Sequence, residues 1–281
     1  QLSRLLQRTN AINVVAGTEA AGIDGVVSSL QDYLGAEAAP LILEGCTDRQ
    51  AFGEALGKAL AGREKDQVTT IVVPYALPWT GFWLAEAEER LRGLKSVNRF
   101  ASVVFVAEPA TLWRLLTDDV WANDAPTPWM SLLHWRDEFL RHWLDERQLQ
   151  LDQDDRRRLG RVTAFWPALI LDVAGDCREL RVLRERLDAA HNRWFSSSNE
   201  VTGWRRRFGV DVGEPAMVVE VLAQLGEPVS AGELAAVAEL PAERVNASLR
   251  WAELLGMVRT EGAGLWTTDP IVKTVLLGDA V

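Results

Sequence analysis

The chain has 281 residues, 48% of them hydrophobic and 25% charged, with a formal net charge of −10. That length accommodates one large domain or two ordinary ones, and the composition excludes general disorder. The acidic balance gives nucleic acid no help from the overall field, and no apolar run approaches the roughly 18 residues that a membrane span needs.

In chain order, the first half alternates short β-branched runs with amphipathic helical runs. Ile12–Ala16 is predicted as a strand, 25–34 as a helix, Leu41–Leu43 as a strand and 49–61 as a helix. Val68–Val73 is nearly all β-branched and predicts a fully buried strand. A helix over 81–94, a strand over 101–107, a helix over 110–120 and a fifth strand over 130–135 follow. Strand–helix alternation with continuously apolar strands implies a parallel sheet covered on both faces, an α/β class. Beyond residue 136 the period changes. Helices are predicted over 137–146, 153–163, 167–174 and 178–195, and Ser196–Gly203 is read as a linker.

The tail has its own order. A helix over 216–225 is followed by a turn at Gly226–Pro228, and Ser230 with Glu233 reads as a capping box for the next helix. Pro241 starts a third helix, Gly256 ends it, and Val258–Glu261 pairs with Leu265–Thr268 around Gly262–Gly264. Three helices and a hairpin resemble a winged-helix domain. The expected division is 1–135, 136–203 and 204–281.

One loop carries the functional reading. A phosphate-binding P-loop is G-x-x-x-x-G-K-[ST] between a strand and a helix; its amides cradle phosphate, its lysine neutralises charge and its hydroxyl binds magnesium. In "INVVAGTEAAGIDGVVSSL", Gly17 and Gly22 have that spacing, but Ile23 stands at the lysine position and Asp24 at the hydroxyl position. Ile23 has no charge for phosphate. Asp24 places a negative charge at a helix N-terminus, where a carboxylate serves as an N-cap in its own right. An unrelated strand–helix turn is the alternative reading of the two glycines. No carboxylate follows Val68–Val73 in "PYA"; Glu44 and Glu108 end other strands, where either is a displaced acid or, more commonly, a solvated loop residue.

A sheet domain, a helical segment and a winged helix in this order resemble signalling ATPases of the AAA+/STAND group. The resemblance implies a P-loop NTPase-like α/β domain, an all-helical lid and a winged-helix domain. In that group the lid carries a Gly-x-Pro beside the nucleotide base; in "TAFWPALILDVAG" Pro167 matches and Phe165 replaces the glycine. With three nucleotide-handling elements altered together, Gly17, Gly22, Ile23, Asp24 and Pro167 are read as a vestigial pocket. No cofactor is expected, though ATP or ADP binding stays open.

Other chemistry is not found. His134, His142 and His191 have no metal-ligand spacing, no G-x-S-x-G elbow occurs, and no catalytic or metal residue is assigned. Cys46 and Cys177 read as buried thiols in a reducing cytoplasm, and the tryptophans mainly as core. From residue 212 onward four basic residues face ten acidic ones, which disfavours duplex binding by the tail. Arg205, Arg206 and Arg207 form the best local patch for an anionic partner. The expectation is a catalytically inactive, ATPase-like regulatory or scaffolding subunit that acts on a protein partner, either an active relative or a second copy. A nucleotide-binding switch without hydrolysis and a winged-helix transcription factor are the alternatives.

Overall fold

The structure is a computed structural model. It describes residues 9–34, 40–43, 48–61, 68–74, 81–97, 99–117, 129–211 and 213–278. Glu44, Cys46, Tyr75 and Ala76, singled out above, lie outside the described residues. The chain divides into two compact units, Gln1–Gly17 with Ile23–Leu132, and Thr18–Gly22 with Leu133–Val281.

The first unit is built on a five-stranded sheet. Its elements are β1 (Ala11–Ala16), a 3-10 turn (Ile23–Gly25), α1 (Val26–Leu34), β2 (Leu41–Ile42), α2 (Arg49–Leu60), β3 (Val68–Val73), α3 (Gly81–Gly93), β4 (Phe100–Ala107), α4 (Pro109–Thr117) and β5 (Trp129–Ser131). The order is β2-β3-β4-β1-β5, and every pairing is parallel. Parallel strands need both faces covered, which is why β3 and β4 are apolar almost throughout. Val15, Val72, Val104 and Val106 share one face and pack under Val26 and Leu30 of α1. Phe105 points the opposite way and meets Phe52 of α2 at 5.9 Å between rings. Each such side chain contributes about 1.5–3 kcal/mol by leaving water.

Two polar residues tie β1 to β4. Asn10 accepts from the Ala101 amide at 3.0 Å and donates to the Arg99 carbonyl at 3.2 Å; Asn13 donates to the Val103 carbonyl at 3.3 Å. β5 is shorter than predicted. Its partner β1 ends at Ala16, whose carbonyl accepts from Leu132 N–H at 2.8 Å, and among the described residues no strand pairs with 133–135.

The second unit is mostly helical: α5 (Asp137–Glu146), α6 (Gln153–Thr163), α7 (Pro167–Ala174), α8 (Leu180–Phe195), α9 (Ser198–Phe208), α10 (Gly213–Leu225), α11 (Ala231–Ala238), α12 (Ala242–Leu254) and α13 (Pro270–Leu277). β6 (Val229–Ser230), β7 (Val258–Glu261) and β8 (Leu265–Thr268) form an antiparallel sheet in the order β6-β8-β7. The three-helix and hairpin order predicted for the tail is therefore present, with β6 and α13 added to it.

One segment corrects the sequence reading. Ser196–Gly203 is not a linker: Ser197 accepts from the Glu200 amide as the N-cap of α9, and the chain is helical from Ser198. Serine marks loops and helix starts equally, because its hydroxyl replaces a backbone partner in both. The expected boundary at 203/204 falls inside this helix.

Candidate functional site

The loop after β1 leaves the carboxyl edge of the parallel sheet, where open α/β sheets place their ligands. Gly17 is buried; a Cβ there would lie 3.1 Å from Leu132 Cβ and 3.4 Å from Ile23 Cδ1. Ile23 is 4% exposed and belongs to the cluster of Val15, Val26, Leu30, Val72, Val104 and Val106. The side chain at the lysine position thus points into the apolar core. Asp24 is exposed and lies inside the 3-10 turn, one residue further from α1 than an N-cap would be. The predicted helix start at Gly25 is therefore moved to Val26, because Ile23–Gly25 takes the tighter winding.

Thr18–Gly22 bonds within the second unit. Thr18 is buried, and its Oγ1 and carbonyl both accept from Ala21 N–H, at 3.1 and 3.0 Å. Gly22 N–H donates to the Glu19 carbonyl at 2.9 Å. Ala20 N–H donates to the Arg207 carbonyl at 3.0 Å, and the Ala20 carbonyl accepts from Ala168 N–H at 3.0 Å. Both outside partners are helix-end groups with no partner in their own helix: a last-turn carbonyl of α9 and a first-turn amide of α7. Pro167, at the first position of α7, has no N–H to satisfy, so the next amide is the one that reaches the loop. Gly22 has φ +81°, and a Cβ there would lie 3.5 Å from Pro167 Cβ. The structure therefore brings Gly22 and Pro167 together. Three successive loop amides, Ala20 to Gly22, donate to the protein's own oxygens.

Phe165, at the position the resemblance gives to glycine, has φ +61°, and Ala164 before it has φ +43°. Both residues have the left-handed backbone that suits glycine, with side chains on it. The Phe165 ring lies against Gly160, its N–H donates to Thr163 Oγ1 at 3.1 Å, and its carbonyl accepts from Trp135 N–H at 2.9 Å.

The arginine triplet does not converge on a common point. Arg205 donates to the last-turn carbonyls of α13, Val275 at 3.3 Å and Leu276, and its ion pair is with Glu220. Arg207 lies over the Trp204 ring at 4.7 Å and pairs with Glu19 at 3.8 Å. Arg206 is exposed.

A buried polar cluster was not anticipated. Asp269 is 7% exposed and N-caps α13, its Oδ1 accepting from Ile271 and Val272 amides at 3.0 and 3.2 Å and from Trp166 Nε1 at 3.2 Å. His134 Nε2 lies 3.7 Å from Asp269 Oδ2. Burial pushes the His134 imidazole below its ordinary value and the Asp269 carboxyl above its own; each group's charge opposes the other's shift. Asp-Pro at 269–270 was a legible helix-start signal; the partners of Asp269, distant in sequence, were not.

Cys177 is buried, with Sγ 3.2 Å from the Val173 carbonyl, and Glu108 is exposed just before α4. Among the described residues no group of three His, Cys, Asp or Glu is placed to hold a metal ion, and no helix is long and apolar enough to cross a membrane.

No family model and no curated protein matches the sequence. Similar solved structures include a Walker-type ATPase of Pyrococcus abyssi, at 13% identity and TM-score 0.46, covering 98% of this chain and 93% of that one. A signal transduction ATPase with numerous domains from Pyrococcus horikoshii, which carries a tetratricopeptide-repeat sensor, matches at 11% identity and TM-score 0.37; 99% of this chain corresponds to 42% of it. The RuvB Holliday junction branch migration motor of Thermotoga maritima matches at 10% identity and TM-score 0.37, over 94% of this chain and 86% of that one.

Proposed function

We propose that this protein is an ATPase-like regulatory or scaffolding subunit that works through protein contacts and does not turn over nucleotide. The observation that carries this reading is the state of the loop after β1. Ile23 is held in the apolar core at the position a lysine would need, and the Ala20, Ala21 and Gly22 amides donate to oxygens of the protein itself. A phosphate nest needs those amides unpaired and a cation beside them. The three-part division into sheet domain, lid and winged helix is carried with this proposal. Protein contact by the tail is favoured over duplex binding because Arg244, on the helix that would enter the major groove, is paired with Glu214, its Nε 3.1 Å from Oε1.

Phosphate release with millimolar Mg-ATP tests the reading. The expected result is no release above the protein-free control. Release that Glu108→Gln, at the end of β4, abolishes would contradict it.

A further inference from the structure

Glu239 closes α11 with φ +53° and ψ +37°, its N–H donating to the Ala235 carbonyl, and its side chain is exposed. Glycine is the usual residue at such a helix end, because left-handed backbone is costly for a side chain and free for glycine. The turn between α11 and α12 thus holds out a carboxylate where glycine would fit with less strain.

That carboxylate stands beside an uncovered apolar face. α11 packs against α10, α12 and β6, with Leu234 and Ala235 turned inward and buried. On its other side Gly232, Glu233, Ala236 and Val237 are exposed, Val237 at 55%. Half-buried Leu240 and exposed Pro241 and Ala242 continue the strip into α12. Gly232 and Ala236 are a helical turn apart and leave room for a second helix to approach, with Val237 standing beside them as a ridge.

Glu233, Glu239 and Glu243 border the strip, and the sequence has no lysine or arginine from 226 to 243. The Glu233 carboxylate accepts from Ser230, which carries no charge, and among the described residues none of the three is paired with a cation. The nearby cations are engaged or displaced. Arg244 is tied to Glu214 through both Nε and Nη2, and Lys273 lies before β6 with its Nζ near Gly226. Arg250 is about 10 Å further along α12 than Glu243.

We propose that α11 and the turn after it form a docking face for a basic amphipathic helix of a partner protein. The apolar side chains of that helix lie on Ala236, Val237 and Leu240, and its lysines or arginines meet Glu233, Glu239 and Glu243. A strip edged by carboxylates alone repels duplex DNA and acidic partners and selects a cationic helix. A second copy of this chain, at net charge −10, is a poor match for it. The inference rests on the reading that the protein works through protein contacts, and it adds the chemistry of the partner.

Fluorescence anisotropy tests the face with a labelled helical peptide, leucines on one side and lysines on the other, titrated with the full chain. The lysine peptide is expected to bind, and the same peptide with glutamates in place of lysines is not. Affinity is expected to fall at least about tenfold in Val237→Lys and about threefold in Glu239→Gly. Glu239→Gly is also expected to raise the urea midpoint, because it relieves the left-handed backbone, so its loss of binding is not a loss of fold. Glu138→Gln, which removes an exposed carboxylate of α5, is expected to leave binding in place. Failure of the lysine peptide to bind, equal binding by Val237→Lys, or an equal loss in Glu138→Gln and Glu239→Gly would overturn the proposal. So would a random duplex that the full chain holds at low salt and Arg250→Gln releases, which gives the face to nucleic acid. Phosphate release measured on the same preparations keeps the two readings apart: no peptide binding with no phosphate release removes the docking face and leaves the proposed function standing.

Discussion

Ala164, at φ +43°, and Gly22, at φ +81°, make opposite experiments on the same backbone region. A left-handed conformation costs a side chain about 1–2 kcal/mol that glycine does not incur. Ala164→Gly is expected to raise stability by about 0.5–1 kcal/mol in urea denaturation, after the entropy that glycine adds to the unfolded chain. Gly22→Ala is expected to lower it by about 1 kcal/mol, with the new methyl in contact range of Pro167. Ile23→Lys puts an ammonium among Val15, Val72 and Val104 and is expected to cost at least about 2 kcal/mol. If the position faced a phosphate site instead, lysine would be tolerated, and denaturation midpoints distinguish the two. The sequence showed which residues replace the motif. It did not show that Phe165 has left-handed backbone at φ +61°, because φ depends on the turn between α6 and α7 and not on residue type alone.

Among the helices, α6 and α8 are joined by a nearly buried carboxylate. Asp155 accepts from Arg184 Nε at 2.7 Å and Nη2 at 2.8 Å, while Asp152 caps α6 through the Asp155 amide at 2.8 Å. The Arg184 guanidinium holds the Asp155 carboxyl below the ordinary carboxylate range. A depressed value contributes stability above the unfolded value, near 3.9, and loses it as pH falls through the folded value. Asp155→Asn is therefore expected to cost about 1–2 kcal/mol at neutral pH and progressively less as pH falls below the unfolded value near 3.9, in denaturant curves at neutral and acid pH. Local signals made most elements legible. Val68–Val73, Asp137–Glu146, Gln153–Thr163, Pro167–Ala174 and both hairpin strands have the predicted bounds, and the Ser230–Glu233 capping box is formed. α9 was missed because its opening serines read as loop. The end of β5 was set by its neighbour β1, which its own residues do not encode.

At the scale of the whole chain, the α/β order of the first half and the helical second half follow from periodicity, and the parallel sheet follows from its apolar strands. Long-range partners were not legible. Ala20 with Arg207 and Ala168, Arg205 with the end of α13, and Trp166 and His134 with Asp269 join positions far apart in sequence through backbone groups or single atoms. One of those partners, the Arg207 carbonyl, holds the Ala20 amide, while the Ala21 and Gly22 amides hold oxygens of the loop itself. Thermal unfolding with and without saturating Mg-ATP distinguishes such a loop from an open phosphate site. A ligand at a hundred times its Kd adds about 2.7 kcal/mol and moves the midpoint of a chain this size by roughly 5 °C. No shift is expected with Mg-ATP or Mg-ADP; a saturable rise of that size would mean that the loop binds nucleotide after all.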